Sequence, residues 1–293
     1  MLSNRMGLVL ATALAPMLWG TTYFTSTAFL IGGHPLLTAT VRALPAGIIL
    51  LIVARRRPRG EWWWKAAVLG TLNIGAFFAF LFIAADRLPG GVAAVIGAIQ
   101  PLLVAVLASR FLSERLTGVV IVAGGAGLFG VALIVLQAPS ALDPLGVAAA
   151  AAGAVSMAVG VVLTKRWAGG PSALALTSWQ LIAGGLLLAL LTAIIEPLPA
   201  QAPSLINLAG YAYLAVAGTA VAYLLWFRGI ARLPTRVPAF LGLLSPLVAL
   251  SIGAVAAGES LTLAQSAGVV LVLASVLGVV AGSRRPANVT PGS

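Results

Sequence analysis

Arg42 interrupts a long apolar run, residues 36–54, about two helical turns from its start at ~1.5 Å per residue. A charge at that depth in a membrane helix is costly, and it either points into a cavity or snorkels to the nearer interface. Pointed inward, a guanidinium fork suits a carboxylate. No Asp or Glu lies within the surrounding apolar runs to neutralise it. Gln180 holds the corresponding place in the second half of the chain and could hydrogen-bond without adding charge; Gln100 and Ser245 add further polar groups. Aromatic rings at Trp19, Tyr23, Phe78, Trp179, Tyr223 and Trp226 could stack against an apolar body. Thr219, Tyr223 and Trp226 share one helical face at i, i+4 and i+7. Most aromatics in membrane helices pack or face lipid, so each ring alone is weak. Jointly, the set suits an amphipathic solute whose carboxylate meets Arg42.

Catalysis has little to work with. There is no H-E-x-x-H, no Gly-x-Ser-x-Gly and no Walker A lysine, since Lys65 and Lys165 both stand at edges of apolar runs. No metal site, cofactor or nucleotide site is expected. His34 is the sole histidine and reads as a solvated loop residue; cysteine is absent, so no disulfide holds the fold. A membrane enzyme would need clustered titratable groups near an interface, whereas Asp86, Asp143 and Glu196 are dispersed over separate loops. A passive channel would need a continuous polar stripe, which these runs do not offer.

The elements that must position Arg42 follow from composition. The chain is 61% hydrophobic and 8% charged, against about 25% charged residues in a soluble domain. Ten apolar runs are long enough to span a bilayer: 6–32, 36–54, 63–85, 90–109, 117–136, 145–166, 172–194, 208–228, 235–256 and 262–282. The first continues to Ile31, well past the roughly 7–15-residue core of a cleavable signal. The net charge of +11 is a matter of sidedness and not of nucleic acid. With the N-terminus in the cytoplasm, 15 of the 17 Lys and Arg residues fall at cytoplasmic ends, the exceptions being Arg42 and Arg87. Both termini are then inside. Trp62, Trp63 and Trp64 read as an interfacial aromatic belt.

The chain also repeats itself. Residues 82–117 and 227–262 align without a gap at 12 identities in 36 positions, among them Arg87/Arg232, Pro89/Pro234, Gly97/Gly242, Pro101/Pro246, Glu114/Glu259 and Thr117/Thr262. The expected units are 1–139 and 140–282, followed by a cytoplasmic tail, 283–293. Five helices is an odd number, so the second unit enters the membrane inverted, the architecture of alternating-access transporters. Pro101 and Pro246 lie inside their spans and should kink them. With Gly97 and Gly242 they are the candidate hinges; a static kink is the alternative. Glu114 and Glu259 precede helices whose dipole they would face, with Thr117 and Thr262 as caps.

These features together resemble the EamA-type branch of the drug/metabolite transporter superfamily. The likeness rests on the duplicated five-helix unit, Trp19-Gly20, Arg42, Pro101, Pro246 and the Glu-x-Leu-Thr segments at Glu114 and Glu259, over about residues 6–282. It implies an all-α, ten-helix carrier in a bacterial inner membrane. Members commonly export amino acids or other metabolites, and the nearest likeness is to aromatic amino acid exporters. The implied partners are a small solute and the bilayer, with no obligate protein partner. One departure matters. Small multidrug members carry a glutamate in the first helix that binds protons and cations, and the first span here has no acid.

Overall fold

The computed structural model describes residues 2–88, 90–135, 143–257 and 261–283. Pro89, Glu259, Arg284 and Arg285 lie outside the described residues, as do the side chains of Tyr23 and Asp86. The described chain is all helix and loop. α1 (Leu2–Gly20) and α2 (Thr22–Phe29) form the first span, and α3 (Pro35–Ala54) the second. α4 (Trp62–Gly70) runs through a π-helical turn, Thr71–Gly75, into α5 (Ala76–Arg87). α6 (Gly90–Gly97) and α7 (Gln100–Phe111) share the fourth span, and α8 (Gly118–Val135) is the fifth. α9 (Pro144–Arg166) and α10 (Ala173–Ile195) follow. α11 (Leu205–Ala215) passes through a second π turn, Val216–Val221, into α12 (Ala222–Arg232). α13 (Arg236–Leu241), α14 (Leu244–Ala257) and α15 (Leu263–Gly282) end the bundle. Among the described residues, nine stretches are long and apolar enough to cross a bilayer, and Val95–Phe111 is a shorter apolar helix in the place of a tenth. This is an all-α polytopic membrane protein.

Local signals account for the helix ends. Asp143 accepts from Leu145 N and Gly146 N with Pro144 next, and Ser172 caps α10. Ser204 with Asn207, and Thr262 with Gln265, form reciprocal capping boxes. The Thr262 cap matches the sequence reading.

The proline expectation needs correcting. Pro101 and Pro246 do not kink continuous helices. The fourth span is broken between Gly97 and Gln100, and the ninth between Leu241 and Leu244, so each proline sits in the first turn of the following helix. Proline is tolerated there because the N–H it lacks has no intrahelical acceptor. Bonds of i→i−3 type carry the chain through both breaks: Ala98 N to Val95 O and Ile99 N to Ile96 O in one, Leu243 N to Phe240 O and Ser245 N to Gly242 O in the other.

Close backbone approach holds the helices together, as packing in lipid requires in the absence of a hydrophobic drive between them. α3 lies against α10, where a Cβ on Gly185 would stand 3.0 Å from Leu44 Cα. α8 lies against α15, where a Cβ on Gly130 would meet Gly268 O at 2.9 Å and one on Gly268 would meet Gly130 O at 2.6 Å.

The two ends of the bundle differ. At the arginine-rich end, α7 packs on α13 and Glu114 links the α7–α8 loop to the α12–α13 loop. Its carboxylate accepts from Thr235 N at 2.8 and 3.1 Å and from Thr235 Oγ1 at 2.7 Å. Lys165 Nζ donates to Ala231 O and Leu233 O, and Arg236 Nη1 to Arg115 O. Glu114 therefore bridges the two sequence units, where a partner for the α8 dipole was expected. At the opposite end Glu196 takes the N–H groups of Leu36 and Leu37, and Asn207 Nδ2 donates to Phe29 O. There a cavity of about 520 Å³ opens between α2, α11 and α14, lined by Thr21, Phe24, Phe29, Gly210, Tyr213 and Ile252 among others.

Candidate solute site

Arg42 does not snorkel. It is 6% exposed and reaches across to the second π turn, where Nη2 donates to Gly218 O at 3.0 Å and Nε to Thr219 Oγ1 at 3.0 Å. The π turn makes this possible. Widening the helix by one residue displaces carbonyls from their usual partners, and Gly218 O is taken by side chains instead. Trp19 Nε1 donates to the same oxygen at 3.2 Å. The face of Phe78 lies 5.1 Å from the guanidinium carbon.

Aromatic rings extend the site. Trp19 stands 4.9 Å from Tyr223 and 5.1 Å from Trp226 between ring centroids, and Phe78 is 6.5 Å from Tyr223. Two charge-assisted hydrogen bonds, at about 1.5–3 kcal/mol each, hold the guanidinium. A desolvated cation–π contact adds about 2 kcal/mol. None of these cancels its charge. Burying an ion costs several kcal/mol even after relaxation, and Arg42 has no carboxylate partner among the described residues. Among the described residues its Nη1 group has no acceptor. The arrangement is a fixed, uncompensated cation beside aromatic faces.

The structure thus brings together Trp19, Arg42, Phe78, Tyr223 and Trp226, with Thr219 and the unanticipated Gly218. It places others elsewhere. Trp179 lies toward the arginine-rich end, where Nε1 donates to Arg56 O at 2.8 Å and its ring stands 6.0 Å from Trp62. Gln180 is fully buried and accepts from Asn73 Nδ2 at 2.7 Å, while Asn73 Nδ2 also donates to Thr164 Oγ1. Gln100 and Ser245 are partly buried at the two helix breaks. Gly97 has open space where a Cβ would stand, whereas Gly242 faces Ala239 O and Trp226. His34 is no free loop residue, with Nδ1 3.6 Å from the Glu196 carboxylate.

Gln180 nevertheless repeats the logic of Arg42. Each lies in the second helix of its half and bonds a π turn in the third helix of the other half. The two π turns begin at Thr71 and Val216, 145 positions apart, the register of the sequence repeat. Asn73 falls opposite Gly218 in that register. Asn73, a polar residue inside an apolar run, is the signal that could have marked the first π turn, and the register then points from it to Gly218.

The acids serve structure. Asp143 pairs with Arg87 at 3.1 Å, and its carboxyl is held below the usual range by the Leu145 and Gly146 N–H groups and then by Arg87. No group of three His, Cys, Asp or Glu residues that could hold a metal gathers among the described residues.

The comparisons with known proteins agree with this architecture. A solved crystal structure superposes on 96% of this chain and 98% of its own at a TM-score of 0.83 and 21% identity, which speaks to the fold. Protein PecM of Dickeya dadantii is 45% identical over 265 residues, covering 90% of this chain and 89% of its own. The uncharacterized transporter sll0355 of Synechocystis is 31% identical over 292 residues, covering 90% and 87%. The inner membrane transporter YedA of Escherichia coli is 27% identical over 257 residues, covering 84% and 81%. The model of the EamA-like transporter family matches twice, over residues 5–136 and 144–281, and the chain belongs to that family of membrane transporters, not to a family of enzymes.

Proposed function

We propose that the chain is an alternating-access exporter of small amphipathic solutes bearing a carboxylate, with amino acids, aromatic ones among them, as the leading class. The observation that carries this reading is Arg42, a buried cation with no acid beside it, held on the second π turn next to Trp19, Phe78 and Tyr223. A substrate carboxylate would supply the missing charge and the rings would take its apolar body. An apolar cavity also opens between α2, α11 and α14. Thr21 in its wall bonds Tyr213 OH at 2.8 Å, and Tyr213 lies five residues before Gly218 on the same helical stretch.

The same reading places both termini in the cytoplasm of a bacterial cell and relates the halves, 1–139 and 140–282, by inverted pseudo-symmetry. It is supported by the distribution of Lys and Arg and by the paired breaks and π turns. The arginine-rich end is then cytoplasmic. A reporter fusion at Ser293 tests the sidedness: cytosolic fluorescence is expected, and high activity of an alkaline phosphatase fused there would overturn it.

Transport in proteoliposomes tests the site. Arg42→Lys keeps the charge without the bidentate fork and should transport an amino acid less well than the parent; Arg42→Ala should be worse. The methyl ester of the same amino acid, lacking the carboxylate, should be nearly indifferent to both. Equal losses for acid and ester would make Arg42 a structural residue. Protein that moves cationic dyes and no carboxylate compound would defeat the substrate reading.

A further inference from the structure

We infer that the α3–α4 loop is a binding site for the headgroups of anionic phospholipids. Arg55, Arg56, Arg57 and Arg59 fall within five residues, and all four are exposed. Among the described residues, none of their side chains makes a hydrogen bond or ion pair. The acid beside them is already taken: Glu61 pairs with Lys65 at 2.6 Å, which holds the Glu61 carboxyl below its usual range. Lys65 is spoken for in turn, lying over the rings of Trp62, Trp64 and Trp167 at 5.4, 5.6 and 5.8 Å. Four unpaired guanidiniums remain.

Two features set this cluster apart from an ordinary solvated face. The first is depth. Trp63 and Trp64, 63% and 51% exposed, stand directly after the loop. Exposed tryptophans at a span end settle at headgroup level, so the arginines lie among lipid phosphates. The second is that the loop is fixed. Trp179 Nε1 holds Arg56 O, and Trp62 N donates to Arg59 O. Arg55 adopts φ 51° as the C-cap of α3, with its N–H on Leu51 O. Glycine is the usual residue at such a left-handed cap. The helix dipole can favour a cation there, which accounts for Arg55, and sidedness calls for basic residues at this end but not for four of them within five positions. A row of arginines on a fixed backbone at phosphate depth matches a row of diester phosphates, which accept bidentate bonds.

Native mass spectrometry of the detergent-solubilised carrier, with phosphatidylglycerol and phosphatidylcholine as probes, tests this. The parent protein should retain phosphatidylglycerol preferentially. Each Arg→Gln change in the loop should weaken retention about fivefold, and the quadruple variant should show no preference. Arg→Lys at all four positions keeps the charge and should keep most of the preference. Arg110→Gln, Arg115→Gln, Arg228→Gln and Arg232→Gln together remove the same charge elsewhere and should leave it intact. Glycerol phosphate and inorganic phosphate should compete poorly, since they lack the anchoring tails. Equal preference in the two quadruple Gln variants would overturn the site in favour of net charge alone. Effective competition by inorganic phosphate would make it a site for free phosphate. If the quadruple Gln variant does not fold, the graded single variants decide: no loss in any of them would equally overturn the proposal.

Discussion

Glu114→Gln should unlock the arginine-rich end of the bundle. In the structure the carboxylate receives two N–H contacts from Thr235 and a bond from its hydroxyl, all across the two sequence units. Hydrogen bonds to a charged acceptor contribute about 1.5–3 kcal/mol each when well buried. Thr235 is fully buried but Glu114 only partly so, so solvent competes for the carboxylate. The amide keeps one acceptor oxygen, loses the charge, and turns an NH2 group toward a donor. A net loss of about 1.5 kcal/mol is reasonable, which multiplies the open-to-closed ratio at this end roughly tenfold. Thr235→Val removes only the hydroxyl bond and leaves the backbone donor, so its effect should be smaller. The chain has no cysteine, which makes spin labelling clean. Labels at Arg110→Cys and Arg232→Cys, both exposed, would report the separation of the α7 and α12 ends by pulsed electron resonance. The longer-distance population should grow in the order parent, Thr235→Val, Glu114→Gln. Superimposable distance distributions in all three would show that packing of α7 on α13 closes this end by itself, and the latch argument would be refuted.

Pro101→Ala and Pro246→Ala should fold, because each proline occupies a first helical turn. The restored N–H can reach back to the Gly97 or Gly242 carbonyl and extend the helix through its break, so turnover should fall while the apparent affinity stays near parental; unchanged turnover in both variants would reduce the breaks to shape. Gly20→Leu should lose folded protein on fluorescence-detected size exclusion, because even a Cβ at Gly20 would stand 2.6 Å from Ser245 O and from Val248 Cβ. Overpacking there should cost about 1–3 kcal/mol or more, and a normal elution peak with parental heat stability would contradict it. Because the Asp143 carboxyl is held below its usual range, its contribution is present above the ordinary carboxylate pKa near ~3.9 and is lost as pH falls through the lower folded value. Asp143→Asn keeps a capping side chain, so its deficit in melting temperature should be constant at neutral pH and vanish only below that range; a deficit that disappears near neutrality would mean another group controls it.

Hydropathy and the repeat made the architecture legible, since a spanning helix must be both long and apolar and both properties are written in composition. The expected run 145–166 and the observed α9, Pro144–Arg166, differ by a residue. The fourth and ninth spans were harder. A proline in an apolar run signals disrupted hydrogen bonding without saying on which side the helix stops, and here it stops before the proline in both halves. Arg42 was legible because an unpaired charge in a span demands an explanation. Its partners were not, because a π turn arises from backbone geometry and Val216–Val221 reads as ordinary apolar helix. Glu114 shows the same limit from the other side. A carboxylate just before a helix fits the dipole so well that sequence alone favours it, yet two donors supplied by distant Thr235 outcompete that local field.

The duplicated π turns join these observations. A widened turn frees carbonyls that lipid cannot satisfy, so each must recruit a polar group from a neighbouring helix. In one half the recruited groups are neutral: Ser156 Oγ donates to Leu72 O, and Asn73 meets Gln180. In the other they are Arg42 and Trp19, both on Gly218 O. The same π turn, placed twice by the repeat, thus meets an amide through the Asn73 side chain in one half and a cation through a backbone carbonyl in the other. On the reading proposed above, inverted halves exchange shapes through their common geometry, and a substrate carboxylate would distinguish them through this difference. Asymmetry at Arg42 and Gln180 is then where that reading puts specificity.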